Sequence, residues 1–308
     1  MTGNDWTVGS VLEAAERWLA ERGRGGARRR SDLCSCLAAV CGTDRLRVLM
    51  DHERPLGEAE RASFRGMVRR LGEGEPLAYV LGRRSFHGRV FEVDPSVLIP
   101  RPETECLVEA ALASLPEGSR VFEPGTGSGC IAVSLVLERP DLEVLASDLS
   151  PEALALARRN ARTLGAPKDR LVFRRGDWWE AARGERFDAL VSNPPYVDPR
   201  RPELCDPEVL AFEPAEALFA SAGDPLAAVR TLLEGCGRGL NPGGLVFLEL
   251  GIDTIEGARL LAEECGSLEE VRVLPDLGGR PRILRARRKG SSPDPGAPRT
   301  GDQDPSAL

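Results

Sequence analysis

Histidine and lysine are almost missing from this chain of 308 residues: His52 and His87 are its imidazoles, Lys168 and Lys289 its lysines. Two isolated histidines leave little room for histidine-dependent nucleophilic catalysis. No two of the eight cysteines have the CxxC spacing. Cys34, Cys36 and Cys41 cluster, but no fourth thiolate lies nearby, so no metal site is expected. The cysteines read instead as small apolar residues of a reducing compartment. No stretch approaches the ~18 uninterrupted apolar residues of a membrane helix, so no span is expected. Met1 to Glu13 lacks a basic region followed by an apolar run, so a secretory signal is not expected and a cytoplasmic location is. The net charge of −7 and the absence of a basic block argue against stable binding to nucleic acid, which rests on lysines and arginines neutralising phosphates.

What is present is ordinary globular material, 42% hydrophobic and 29% charged. At roughly 150 residues per domain the length suggests about two domains. Helical spacing dominates the first part. Val8, Leu12, Ala15 and Leu19 recur at the interval of one helix face, then Leu33, Leu37 and Val40, then Phe64, Met67, Val68 and Leu71. This segment is expected to be a small helical bundle that binds or positions something. From Phe86 to Val93, β-favouring residues flank a glycine turn and predict a hairpin. Ile99-Pro100-Arg101-Pro102 then keeps the backbone extended, because a residue before proline avoids the α region. From Arg120 onward the pattern alternates. Strands are predicted at 120–123, 143–147, 171–174, 187–192 and 244–250, with helices near 129–138, 151–163 and 224–238. Two late strands near 269–274 and 282–286 follow a last helix near 255–265. Such alternation predicts a mostly parallel sheet covered by helices on both faces. Four segments are expected: a helical domain over 1–84, a hairpin and linker over 85–102, an α/β domain over 103–289, and a disordered tail over 290–308, rich in proline, glycine and serine.

Ligands of such sheets sit at the carboxyl ends of the strands, where the strand order reverses. The chemistry-bearing residues fall there. After the first predicted strand of the sheet comes Glu123-Pro124-Gly125-Thr126-Gly127-Ser128-Gly129, opening a helix. Its glycines permit a sharp turn and close approach to a ligand. A dinucleotide fingerprint would need glycine where Cys130 stands, and the form present suits S-adenosylmethionine better than NAD. A purely structural glycine turn is the alternative. Asp148 ends the second strand, where a carboxylate can accept both hydroxyls of a ribose. Its alternative use is as a helix N-cap, although Ser150 can fill that role alone. Asp177-Trp178-Trp179 follows the third strand; the Trp178 indole can cover an adenine ring and Asp177 can accept from its amine. Core packing is the alternative for Trp178 and the expectation for Trp179. The fourth strand ends in Ser192-Asn193-Pro194-Pro195-Tyr196. The Asn193 side chain and the Pro194 carbonyl offer two acceptors converging on a planar –NH₂ group, and Tyr196 can stack on that group.

The Asn193-Pro194-Pro195-Tyr196 motif with the glycine loop resembles the amino-methyltransferases of class I fold, which act on adenine, guanine or protein glutamine. Gly74-Glu75-Pro76-Leu77-Ala78-Tyr79-Val80-Leu81-Gly82 and Leu98-Ile99-Pro100-Arg101-Pro102-Glu103-Thr104-Glu105 narrow the likeness. With Phe212-Glu213-Pro214, Leu248-Glu249-Leu250-Gly251 and Asp276-Leu277-Gly278-Gly279-Arg280-Pro281-Arg282, they resemble the HemK/PrmC family of N5-glutamine methyltransferases acting on peptide chain release factors. The resemblance spans roughly residues 30 to 287. It implies a Rossmann-like, mostly parallel seven-stranded sheet and S-adenosylmethionine as methyl donor. It also implies class 1 release factors as partners, methylated on the glutamine of their Gly-Gly-Gln motif. Carried over by position, the loop from Gly125 to Gly129 would hold the methionine part of the donor, Asp148 its ribose, and Asp177 and Trp178 its adenine. Asn193, Pro194, Pro195 and Tyr196 would hold the substrate glutamine, with Asn193, Pro194 and Tyr196 serving catalysis and Asn193 also near the donor. Glu123 stands where the family has aspartate, so its longer arm would have to reach the donor's amino group or a water. No general base is evident in the motif, and catalysis is expected to rest on positioning and electrostatics. The rival readings are methylation of a nucleic-acid base, of a ribosomal protein glutamine, or an inactive binding protein.

Overall fold

The computed structural model describes residues 6–290 except 25, 202, 204, 221 and 222, and leaves the side chains of 27 and 28 undescribed. From residue 291 on, the expected tail lies outside the described residues. Helices α1 (Val8–Ala20), α2 (Ala27–Cys41), α3 (Arg45–Met50), α4 (Glu58–Glu73) and α5 (Leu77–Leu81) form the N-terminal bundle. Thr7 opens α1 with a reciprocal cap, accepting from the Ser10 amide while its own amide donates to Ser10 Oγ. Leu12, Leu19, Leu33, Leu37, Phe64 and Leu71 fill the bundle's core, and Cys34 and Cys36 are buried there as apolar residues.

The α5 helix has two allegiances. Leu77, Val80 and Leu81 face the bundle, whereas Ala78 and Tyr79 pack with Val93, Val97 and Ile99 of the connector. The Tyr79 hydroxyl donates to the Val97 carbonyl at 2.6 Å. The hairpin follows as β1 (Arg83–Phe86) and β2 (Arg89–Glu92). Its two turn residues, His87 and Gly88, have φ of 48° and 72°, the left-handed pair that matches strand twist in a two-residue hairpin.

Seven strands make the main sheet: β3 (Arg120–Pro124), β4 (Glu143–Asp148), β5 (Leu171–Arg175), β6 (Phe187–Ser192), β7 (Leu240–Glu249), β8 (Leu268–Pro275) and β9 (Pro281–Arg288). Their order is β5-β4-β3-β6-β7-β9-β8. Every pairing from β5 to β7 is parallel, and β9 runs antiparallel to both its neighbours. Side chains alternate across the central strands. Val121, Val144, Ala189 and Phe247 enter one core with α6 (Pro102–Leu112) and α7 (Cys130–Glu138). Phe122, Leu145, Leu190 and Val246 enter the other with α11 (Ala227–Gly239) and α12 (Ile255–Glu264). A strand buried on both faces is apolar at both parities, which is why these runs are continuous. Helix α8 (Pro151–Thr163) joins β4 to β5. Trp179 is a packing residue, as expected. Its indole lies 5.1 Å from the Phe122 ring, tilted by 40°, and donates to the Leu232 carbonyl.

Two features differ from the sequence reading. Helices α9 (Pro207–Phe212) and α10 (Ala215–Leu218) were not predicted, because six and four residues are too few to display a 3.6-residue period. Strand β7 begins at Leu240 rather than 244. Leu240 pairs with Phe187 and the next pair is Leu245 with Ala189, so Asn241-Pro242-Gly243-Gly244 is taken up in a bulge rather than a loop.

Candidate active site

The strand order reverses at β3, whose neighbours are β4 on one side and β6 on the other. A cleft of about 800 Å³ opens at the carboxyl ends of these strands. On its floor lies the glycine loop, where Gly125, Gly127 and Gly129 have φ of 72°, 52° and 79°. Three left-handed positions in five residues explain the spacing, since side chains with Cβ are strained there. Gly129 meets a second demand, because a Cβ there would lie 3.1 Å from that of Ala157 on α8.

Asp148 fastens this loop. Its Oδ2 accepts from the Gly127 amide at 2.9 Å and its Oδ1 from the Ser150 amide at 3.0 Å. Ser150, not Asp148, caps α8 through the Ala153 amide at 3.0 Å. Burial raises the Asp148 carboxyl, with the Gly127 and Ser150 amides pulling it back. Beyond it, Trp178 stands on the cleft wall, 4.0 Å from the Cβ position of Gly125, at the start of a 3₁₀ turn (Trp178–Ala182). Its φ of 35° is an unfavourable backbone for a bulky residue, a form of strain that concentrates at ligand sites. Asp177 is exposed on the rim.

Asn193 and Pro195 line the same cleft, whereas Pro194 and Tyr196 do not. Proline holds the preceding residue extended, and alternate side chains of an extended segment point to opposite sides. The Tyr196 ring does not line this cleft. It packs behind the segment, 3.1 Å from the Cβ position of Gly251. Burial, with Glu249 nearby, pushes its hydroxyl up to about 12.

The reach expected of Glu123 toward the donor is corrected. The residue is fully buried beneath the loop, accepting from Thr126 Oγ1 at 2.9 Å, and does not line the cleft. Its longer arm turns to its own loop rather than outward, and burial holds its carboxyl well above the usual range. Of the residues singled out by sequence, the cleft thus gathers Gly125, Thr126, Gly127, Ser128, Asp148, Asp177, Trp178, Asn193 and Pro195. Glu123, Gly129, Pro194 and Tyr196 lie behind it.

Three other side chains belong to the arrangement. Thr104 of α6 accepts from Asn193 Nδ2 at 3.4 Å. Burial pushes the carboxyl of Glu249, at the end of β7, up to about 7, with the neighbouring Thr104 hydroxyl pulling it back. Glu213, buried between α9 and α10, accepts from the Ile99 amide at 3.0 Å and from Arg101 at 2.6 Å. That clamp fixes the extended connector as the cleft's far wall. All three fall in segments noted above only for their family likeness; no spacing signals that they meet.

A glycine loop after β3, an acidic residue ending β4 and an Asn-Pro-Pro-Tyr segment after β6, on a sheet of this order, define a class I methyltransferase. Residues 10–82 match the PrmC N-terminal domain and residues 102–224 the methyltransferase small domain. A release factor glutamine methyltransferase of Geobacter sulfurreducens is 41% identical over 251 residues, 82% of this chain and 86% of that one. Its namesake from Neisseria gonorrhoeae is 48% identical over 228 residues, 73% of this chain and 81% of that one. This chain belongs to the release factor glutamine methyltransferase family. A solved methyltransferase from Pyrococcus furiosus, 20% identical, shares the fold with a TM-score of 0.50, covering 67% of this chain and 91% of that one. A solved release factor-specific protein-(glutamine-N5) methyltransferase from Alicyclobacillus acidocaldarius is 33% identical, with a TM-score of 0.40, over 65% of this chain and 99% of that one.

Proposed function

We propose that this protein uses S-adenosylmethionine to methylate the side-chain amide nitrogen of the glutamine in the Gly-Gly-Gln motif of class 1 peptide chain release factors. The residues of the cleft fit such a donor. Its volume lies within the ~300–1,000 Å³ typical of small-molecule sites. Backbone without Cβ forms its floor at Gly125 and Gly127. The Asp148 carboxylate has accepted two hydrogen bonds, and such a group has about four acceptor sites, which leaves capacity for ribose hydroxyls. Trp178 would cover the adenine and Asp177 would meet its amine. Glu123 would act indirectly, by holding Thr126.

When bound, S-adenosylmethionine supplies an electrophilic methyl group on a sulfonium. The chain's task is then to present a poor nucleophile, because the lone pair of an amide nitrogen is delocalised into its carbonyl. Asn193 carries this reading: it lines the cleft and its Nδ2 donates to Thr104, which would leave Oδ1 to accept from a substrate. Oδ1 would accept an N–H bond of the substrate amide, favouring a more tetrahedral nitrogen. Alignment and preorganised dipoles of this kind can supply several kcal/mol. The nitrogen becomes far more acidic once methylated, so its proton can leave after transfer.

The test is incubation with labelled S-adenosylmethionine and, separately, a release factor, a ribosomal protein fraction and DNA. Label on the release factor glutamine is expected. Label on a ribosomal protein or a base instead would overturn the assignment of substrate.

A further inference from the structure

We propose that Glu249, acting through the Thr104 hydroxyl, fixes which way the Asn193 amide faces and so is a positioning residue for the amino group being methylated. This rests on the reading that an amino group docks at Asn193, not on which molecule carries it.

The three residues come from different elements. Strands β6 and β7 run parallel with Ser192 opposite Leu248, so Asn193 and Glu249 leave the sheet side by side. Thr104, in the first turn of α6, accepts from Asn193 Nδ2 at 3.4 Å, and its hydroxyl favours the Glu249 carboxylate. Glu249 is 1% exposed and Thr104 2%, and Glu249 Oε2 has no hydrogen-bond partner among the described residues. A buried carboxyl with an unmet oxygen costs stability, and its place beside the reactive segment calls for a role.

Proton counting provides the role. A carboxylate can only accept, and a hydroxyl has one hydrogen to give. While Glu249 is ionised, the Thr104 hydroxyl must donate to it, and its oxygen is left as an acceptor toward Asn193. An acceptor there selects Nδ2, so Oδ1 points to the cleft, ready for a substrate N–H. Protonated Glu249 can instead donate to Thr104. The Thr104 hydrogen is then free to bond Asn193 Oδ1, and the amide turns over. Asn193 would then present a donor to a donor.

The charged and titratable groups around Glu249 oppose one another. Arg282 on β9 and Arg101 of the connector favour the carboxylate, while burial and Glu103 on α6 favour the neutral acid. Tyr196 and Cys130, each pushed up to about 12 mainly by burial, stay neutral beside it. The balance places the change near neutrality, so the orientation of Asn193 becomes sensitive to pH.

The experiment uses the full chain. Thr104→Val should lower the single-turnover rate about tenfold or more while cofactor affinity stays within about threefold. Thr104→Ser, which keeps the hydroxyl, should recover most of that loss. The wild-type rate should fall below about pH 7 and the Glu249→Gln rate should lose that acid limb. The double variant should be no slower than Thr104→Val, because both act on one chain of bonds. A wild-type rate in Thr104→Val, or an acid limb that survives in Glu249→Gln, would overturn the proposal. A second readout needs no turnover. The side-chain NH₂ resonances of Asn193, identified by their loss in Asn193→Ala, should titrate near pH 7 in the wild type and stay flat in Glu249→Gln. Flat wild-type resonances would overturn the relay even in an active enzyme. An inactive wild type with titrating resonances would overturn the substrate assignment alone.

Discussion

The Gly127 amide donates to Asp148 Oδ2 at 2.9 Å, so the loop that follows β3 is fastened to the last residue of β4. One carboxylate thereby shapes the floor of the cleft and keeps acceptor capacity facing into it. Asp148→Ala should weaken S-adenosylmethionine binding roughly 10–100-fold, since a hydrogen bond to a charged group contributes about 1.5–3 kcal/mol. Asp148→Asn should lie between, because the amide oxygen can still accept from Gly127. Calorimetry reads both. Unchanged affinity in Asp148→Ala would confine the residue to holding the loop.

Asn193→Ala should behave in the opposite way. Its side chain meets Thr104 and the cleft rather than the glycine loop, so cofactor affinity should stay within about threefold while the methyl-transfer step slows ~10²–10³-fold. Single-turnover rates at saturating cofactor separate the two effects. A rate near wild type would remove the positioning mechanism.

Much of this site was legible because each motif follows its own strand. Glycines, Asp148, Trp178 and Asn193 sit just after runs of β-favouring residues, and the rule for parallel sheets brings strand ends together without further information. Side-chain direction was less legible. Glu123 and Tyr196 carry suitable groups at suitable positions, yet one turns under the loop and the other packs behind the segment, outcomes decided by tertiary packing. Thr104, Glu213 and Glu249 were hidden for a different reason. They come from a helix start, a link between two very short helices and a strand end, and their meeting depends on the fold as a whole.

Glu249 should also record the tension between stability and function. Its carboxyl is raised from 4.5 to about 7 by burial, so the folded state prefers the protonated form. The unfolded chain ionises first as pH rises. The destabilisation therefore grows between about pH 4.5 and about pH 7, is complete above that window, and amounts to roughly 3 kcal/mol at most. Glu249→Gln should accordingly be more stable than the wild type at about pH 8 and lose that advantage at about pH 4. Urea unfolding at the two pH values measures it. Glu123, fully buried and also raised by burial, should give Glu123→Gln a gain of the same sign. Equal stabilities of Glu249→Gln and wild type at high pH would show that the charged form costs nothing where it sits.

The helical domain is tied both to the connector and to the catalytic domain. Tyr79 bonds the Val97 carbonyl, and Arg24 and Arg29 both pair with Glu208 on α9, in the segment that follows Asn193–Tyr196. A glutamine with its neighbours offers little surface, whereas specific protein interfaces bury about 1,200–2,000 Å² in total. On the proposal that an intact release factor is the substrate, this second domain would supply the remaining surface. Glu208→Ala removes the shared partner of two arginines, one of them only 14% exposed, at a cost of about 1 kcal/mol after solvent screening. It should reduce methylation of intact release factor several-fold while a short glutamine peptide is methylated as before. A truncation makes the same comparison more severely. The cut belongs after Gly74, because Ala78 and Tyr79 are packed into the connector that walls the cleft. Retained binding of S-adenosylmethionine would show that the shortened chain has folded. Loss on the protein substrate far exceeding loss on the peptide is the expected result; equal losses would leave the bundle a stabilising role only.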